Sequence, residues 1–286
     1  MAKLLEGKPI SERIKEEIKQ QVLALKIKPV LASVIVGDNP GAASYVKSQA
    51  KVAEELGIEY QLHKLDSSVT EAHVLDFIQK LNINKSVQGI IIQNPLPAQV
   101  DYKKIINVID PRKDVEGVHP TNIGRIILGR AKLIPCTVYA AMELILASGI
   151  DLYGKEVVIV GHSEIVGKPL ALLLLEKFAT VTVCHVGTSK SGKLEEHVRR
   201  AEVLIVAVGS AGLIKGAWIK EGAVVIDVGI NRVGDKITGD VEFEAAERKA
   251  SYITPVPGGV GPLTVAMLMR NLIEAVKLQV ASVDSI

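Results

Sequence analysis

The sequence predicts an α/β protein of two domains built on parallel sheets. Three observations carry that prediction. Short apolar runs rich in Val and Ile alternate with stretches of helical periodicity, the order that builds parallel sheets covered by helices. At 286 residues the chain is long enough to bury two modest cores or one large one. The stretch Val157-Val-Ile-Val-Gly-His-Ser-Glu-Ile-Val-Gly-Lys-Pro169 reads as a buried strand, a glycine turn and a helix. Such an entry to a dinucleotide-binding βαβ unit lets the backbone approach a pyrophosphate and offers it free helix N–H groups. The spacing Gly161-x-Ser163-x-x-x-Gly167-x-Pro169 meets only half of the G-x-G-x-x-G fingerprint, so spacing alone leaves a plain core turn open.

The elements follow in order. Ile10, Ile14, Ile18 and Val22 among Glu and Lys predict a surface amphipathic helix over Ile10–Lys26. The β-branched run Pro29–Val36 predicts a strand, ended by the polar loop Gly37-Asp-Asn-Pro40. A helix is expected over Ala42–Leu56, stopped by Gly57, then a strand over Ile58–Leu65 and a helix over Thr70–Leu81. Gly89–Gln93 predicts a buried strand, broken by Asn94-Pro-Leu-Pro97 at its carboxyl end. Asp110–Gly124 is expected as a long polar loop, a kind that is more often functional than idle. Thr137 is placed to cap a helix over Val138–Ala147, and the domain crossing is expected there. The second half predicts strands at 156–160, 180–184, 203–207 and 223–227, with helices at 166–176 and 193–200. The rigid turn Pro255-Val-Pro-Gly-Gly-Val-Gly-Pro262 feeds a strongly apolar helix, Leu263–Val280, which must be covered by the first domain or a second subunit.

Composition excludes several classes of function. Net charge is +2, with 34 basic against 32 acidic residues, and aromatic residues make up only 3%. A chain with so little charge excess and so few stacking platforms is not expected to bind nucleic acid. No apolar run approaches the roughly 20 residues of a membrane helix, and Met1–Ile10 lacks the pattern of a signal peptide. Two cysteines, Cys136 and Cys184, make no disulfide framework, so the cytoplasm is the expected compartment. The six histidines show no metal-ligand spacing, and no metal is expected.

Several residues are candidates for chemistry, each with a plainer alternative. Tyr45 and Gln49, four apart, share one helix face, as a partly buried Tyr beside any polar neighbour would. Gln93 ends a buried strand, where open α/β sheets place ligand contacts, or it caps the following loop. Asp114, Glu116 and His119 cluster in the long loop, where such groups are usually solvated. Cys184 and His185 end a strand, with a small buried thiol as the default, while Asp227, Asn231 and Asp240 fit turns.

In order along the chain occur Ser44-Tyr-Val46, Gly89-Ile-Ile-Ile-Gln-Asn-Pro-Leu-Pro97, Lys113-Asp-Val-Glu-Gly117, Pro135-Cys-Thr137, the Gly161–Pro169 turn and Pro255-Val-Pro-Gly-Gly-Val-Gly-Pro262. Together they resemble the methylenetetrahydrofolate dehydrogenase/methenyltetrahydrofolate cyclohydrolase family, known in bacteria as FolD, over nearly the whole chain. The resemblance implies a homodimer whose subunits join a folate-side α/β domain (1–137 and 264–286) to a Rossmann NAD(P)-binding domain (138–263). It implies oxidation of 5,10-methylenetetrahydrofolate with NADP and hydrolysis of the methenyl product. Tyr45, Gln49 and Gln93 then occupy catalytic positions; Tyr45, Gln93, Glu116, Pro257, Gly258 and Gly259 meet the folate; and Gly161, His162, Ser163, Ile165, Gly167, His185 and Ile230 line the cofactor.

The departures from the family pattern carry their own expectations. Gln49 stands where the family has a Lys tied to the hydrolytic step, and Gln cannot exchange a proton near neutral pH. Lys47 and Lys51 lie about 200° round the helix and are poor substitutes. The hydride step is therefore expected to survive and the cyclohydrolase step to be weak or lost; a folate-binding pseudoenzyme, or a bifunctional enzyme with another group replacing the Lys, are the alternatives. Glu116 replaces the usual Asp, and Val138 the usual Pro. The family's Gly-Arg-Ser reads Gly161-His162-Ser163 and its Cys-His-Ser reads Cys184-His185-Val186, which removes two groups expected at the NADP 2′-phosphate. Cys184–Thr188 offers no acid of the kind NAD enzymes use, and His162 can bind a phosphate when protonated, so NADP is expected over NAD.

Overall fold

The computed structural model describes residues 1–38 and 40–281. Asn39, within the expected Gly37–Pro40 loop, and residues 282–286 of the expected first domain lie outside the described residues. The first half runs β1 (Lys3–Leu4), α1 (Gly7–Ala24), β2 (Val30–Val36), α2 (Pro40–Glu55), β3 (Glu59–Leu65), α3 (Glu71–Ile83), β4 (Gly89–Ile92), α4 (Tyr102–Val108) and α5 (Pro120–Ile127). The second half runs α6 (Cys136–Ala147), β5 (Glu156–Val160), α7 (Gly167–Leu175), β6 (Thr180–Cys184), α8 (Val186–Lys190), α9 (Leu194–Arg200), β7 (Val203–Val206), β8 (Val224–Asp227), β9 (Asn231–Val233), β10 (Lys236–Thr238), α10 (Phe243–Glu247), β11 (Tyr252–Ile253) and α11 (Val260–Ala281).

These elements form two compact units, Arg13–Cys136 with Val265–Ile286, and Met1–Glu12 with Thr137–Thr264. The first holds a three-stranded parallel sheet in the order β3-β2-β4. Every residue of β2 is buried, as a central strand flanked on both sides requires. Val30, Ala32, Val34, Ile90 and Ile92 pack with Val74 and Ile78 of α3 and Ile105 and Ile106 of α4. The far end of α11 belongs to this unit: Asn271 Nδ2 donates to the carbonyls of Val115 and Ile134, both at 2.8 Å. Cover for the apolar last helix thus comes from the first domain, one of the two expected sources. A Cβ on Gly89 would stand 2.6 Å from Leu272 Cδ1, so only glycine lets the helix lie this close to the strand.

The second unit holds a six-stranded sheet, β1-β11-β8-β7-β5-β6, parallel at each pairing, with β9 and β10 as a separate antiparallel hairpin. Val158, Val160, Leu204, Val206 and Val225 fill its core against Leu194 and Val198 of α9. Because Val160 pairs with Cys184 and Val206, and Val206 with Asp227, the strands β5 to β8 end together at one edge.

Several expectations require correction. Met1–Glu12, expected in the first domain, belongs with the six-stranded unit, because β1 adds a strand beside β11. A two-residue strand leaves no periodicity to read. The expected Asp110–Gly124 loop ends early at α5, where His119 caps the helix through Nδ1 accepting from Thr121 N at 3.0 Å and Pro120 opens its first turn. The helix expected from Val138 begins at Cys136, so Thr137 lies inside it rather than capping it. The short elements α4, α8 and α10 and the hairpin β9–β10 carry no periodicity to read, because their apolar runs are shorter than a helical or strand repeat.

Candidate active site

In the three-stranded unit, four of the expected side chains converge around the carboxyl ends of β2 and β4. The Gln93 backbone N–H donates to Val34 O at 2.9 Å, which fixes the residue just past β4. Its side-chain Nε2 donates to Ser33 Oγ at 3.0 Å and to Gln49 Oε1 at 2.8 Å. Gln49 lies one helical turn after Tyr45 on α2 and is fully buried; its Oε1 also accepts from the Tyr60 hydroxyl at 2.8 Å. The amide of Gln49 stands beside the Tyr45 hydroxyl. Burial first, then the neighbouring Cys136 and Glu116, push the Tyr45 phenol far above its ordinary value, against the Gln49 amide, which favours the ionised form. Burial likewise raises the Tyr60 phenol to about 12. At neutral pH these side chains are a neutral, protonated set.

Glu116 is half-buried and faces the hydroxyl of Tyr102, which donates to it at 3.4 Å. Burial, and then the charge of Asp114, push its carboxyl up to about 7, against the Tyr102 hydrogen bond. Asp114 and His119, expected as solvated, are buried instead. Asp114 accepts from the backbone N–H groups of Gly117 at 3.0 Å and His119 at 2.8 Å and from Asn122 Nδ2 at 2.9 Å. The carboxylate thus folds the loop that presents Glu116. A buried acid is tolerated because backbone donors replace water.

The six-stranded unit places its candidates along the edge where β5 to β8 end. Gly161 has φ +127°, and a Cβ there would collide with the carbonyl oxygen of Ala207. One on Gly167 would collide with the carbonyl oxygen of Gly161. The turn therefore depends on bare backbone at both positions. Ser163 Oγ accepts from Val166 N at 3.1 Å and caps the approach to α7. His162 and His185 are exposed, with ring centroids 5.1 Å apart, and His185 Nδ1 accepts from Gly187 N at 3.1 Å. Ile165 and Ile230 are exposed at 40% and 68%, as several other large apolar side chains of the chain are. This edge offers a bare turn, a helix entry and exposed apolar and imidazole groups, which fits a flat, anionic dinucleotide. Pro257, Gly258 and Gly259 form a turn in the same unit, held by Gly7 N donating to Gly258 O at 2.8 Å.

Asp227 and Asp240, whose flanking glycines suggest plain turns, are buried organisers of that edge. Asp240 Oδ2 accepts from Val208 N at 2.7 Å and Gly209 N at 3.0 Å, while Asp227 Oδ1 accepts from Gly229 N at 2.9 Å. The sequence carries no signal for Tyr60, Ser33 or Tyr102. Nothing in spacing ties Tyr60 to Gln49, because they meet where β3 packs beside α2 rather than along one helix face. Among the described residues no group of three or more His, Cys, Asp or Glu is placed to hold a metal, and no helix is long and apolar enough to cross a membrane.

Comparison with known proteins finds two domains of one family along the chain. Residues 5–116 match the tetrahydrofolate dehydrogenase/cyclohydrolase catalytic domain, and residues 135–280 match the NAD(P)-binding domain of the same family. The bifunctional protein FolD of Acetivibrio thermocellus is 51% identical over 97% of this chain and 98% of its own. The crystal structure of the bifunctional FolD dehydrogenase/cyclohydrolase of Campylobacter jejuni superposes with a TM-score of 0.94 at 45% identity, covering 98% of this chain and 100% of that one. The Trypanosoma brucei methylenetetrahydrofolate dehydrogenase-cyclohydrolase, complexed with NADP cofactor and inhibitor, gives 0.93 at 35% identity, with 98% of each chain covered. With two domain matches and half-identical relatives along its length, the chain belongs to the tetrahydrofolate dehydrogenase/cyclohydrolase (FolD) family.

Proposed function

We propose that this chain oxidises 5,10-methylenetetrahydrofolate to the methenyl form with NADP in preference to NAD, and that its cyclohydrolase activity is weak or absent. The observation that carries this reading is Gln49, fully buried in a network of neutral hydrogen-bonding groups. Hydrolysis of the methenyl cation needs a proton removed from the attacking water and one delivered to the departing nitrogen. An amide does neither. Hydride loss makes no such demand, because the chain's task is to hold two flat ring systems in register. A bound nicotinamide supplies the hydride acceptor. Gly161, Ser163, Gly167 and Ile165 would hold it, with Ile230 as an apolar neighbour and His162 and His185 toward the ribose phosphate. Tyr45 borders the folate in this reading, and Gln93 and Glu116 hydrogen-bond it.

One observation favours a second reading. Glu116, with its carboxyl near 7, is a group that exchanges a proton at neutral pH, and it would make the enzyme bifunctional without a lysine. The deciding experiment follows methenyltetrahydrofolate by absorbance after methylenetetrahydrofolate and NADP, or NAD, are added to the pure protein. Accumulation of methenyl product that decays no faster than the blank supports the proposal. Clearance faster than the blank, abolished by Glu116→Gln, establishes the second reading. Binding of folate without turnover on either cofactor identifies a pseudoenzyme. The chain is further proposed to act as a cytoplasmic homodimer, a state that light scattering of the purified protein tests.

A further inference from the structure

The Gln49 amide is satisfied on one side only. Oε1 takes two hydrogen bonds, from the Tyr60 hydroxyl and from Gln93 Nε2, each at 2.8 Å. Nε2 is buried, has no partner at full hydrogen-bond geometry and lies toward the Tyr45 hydroxyl. A buried amide N–H group left poorly paired is costly and needs a reason. Its surroundings supply one, because the amide stands beside the hydroxyl of Tyr45 on the same face of α2. The arrangement is held from behind. Turned over alone, the amide would set Nε2 against Gln93 Nε2, which is itself engaged with Ser33 Oγ at 3.0 Å, so the two amides can turn only together. Tyr60 completes the clamp from β3, the edge strand, where it is half-buried.

Resting on the folate reading above, we infer that Tyr60 is a positioning residue for this reaction. With Gln93 it holds the Gln49 amide in place beside Tyr45, with Nε2 toward Tyr45 as a neutral donor to an acceptor atom of the reduced pteridine. The Tyr60 phenol, protonated at neutral pH even at its ordinary value and raised further by burial, can donate to Oε1. A neutral amide fixed in this way binds and orients a ring without moving a proton. The position thus retains a folate contact while lacking acid–base chemistry. The partnership needs a polar atom at position 49, since a hydrocarbon there offers Tyr60 nothing to hold.

A double-mutant cycle on the full chain tests this, with KM for methylenetetrahydrofolate, kcat and direct binding of tetrahydrofolate by calorimetry as readouts. Tyr60→Phe keeps the ring and removes the hydroxyl. It is expected to raise KM and weaken tetrahydrofolate binding about fivefold, with kcat changed less than about twofold, the signature of lost uniform binding. Gln49→Met is expected to do the same or more, and Tyr60→Phe in that background to add nothing. Unchanged KM and binding in Tyr60→Phe, with wild-type turnover intact, would overturn the positioning role alone. A Tyr60→Phe effect that persists at full size beside Gln49→Met would also overturn it, because Tyr60 would then act by another route. A wild-type chain that neither turns over methylenetetrahydrofolate nor binds tetrahydrofolate would remove the folate reading and this inference with it.

Discussion

The two units carry their candidate groups in opposite ways. In the three-stranded unit the site is made of buried side chains hydrogen-bonded to one another, with Gln49 and Ser33 fully enclosed and Gln93 only 3% exposed. In the six-stranded unit it is made of backbone, with Gly161 and Gly167 at positions where a Cβ would strike a carbonyl, and its side chains, His162, His185, Ile165 and Ile230, stand exposed. The contrast follows from the tasks proposed for each. A dinucleotide presents phosphates and flat rings that a bare turn and a helix entry accommodate with little side-chain chemistry. A reduced folate must be oriented atom by atom, and a buried network holds that geometry at the risk of unpaired polar groups.

The largest test of the contrast is Gln49→Lys. Tyr60 would accept rather than donate, Gln93 would turn its carbonyl toward the amine, and burial would draw the lysine toward neutral pH. We expect cyclohydrolase activity to rise on the order of 100-fold, measured as decay of methenyltetrahydrofolate above the blank. No gain would mean that this buried network cannot accommodate an amine, and that the side-chain site is more specialised than one substitution. Next in size is Gly161→Ala. Its Cβ meets Ala207 O at a φ of +127°, so cofactor-dependent kcat/KM should fall roughly 50-fold while tetrahydrofolate binding stays within about twofold. Equal loss of both would show that the two functions are not carried separately.

The smallest effect concerns stability. The Glu116 carboxyl is raised from 4.5 to about 7, first by burial. Between those values the folded chain holds a proton that the unfolded chain has released. Its contribution is therefore fully present below about 4.5 and is lost as pH rises through about 7. Thermal melts across that range should show Glu116→Gln losing less stability with rising pH than the wild type. Parallel melting curves would mean that Glu116 ionises freely in the folded state.

Much of this protein is legible in its residue order. The glycine turn, the alternation of β-branched runs with helical stretches and the Pro-Gly-Gly-Val-Gly-Pro turn point to the fold and the family, because they depend on local backbone needs and on periodicity. The strands that end at the candidate groups, β2, β4, β5 and β6, lie where their apolar runs place them. What periodicity misses are contacts that close across many residues of chain. Met1–Glu12 joins the second sheet only because β1 pairs with β11, nearly the whole sequence away. Asp114 and His119 look solvated in a polar loop, and become buried only when that loop folds around the carboxylate.

Position 49 shows the same division at the level of one residue. That an amide stands there, four residues after Tyr45, is written in the chain, and with it the absence of any exchangeable proton at that point. Where that amide is held, and by which groups, is set by the fold. Tyr60 from β3, Gln93 from the end of β4 and Ser33 from β2 meet in one buried space around it. Hydrogen-bond direction is a property of neighbours brought together by strand pairing, and no spacing along the chain encodes it.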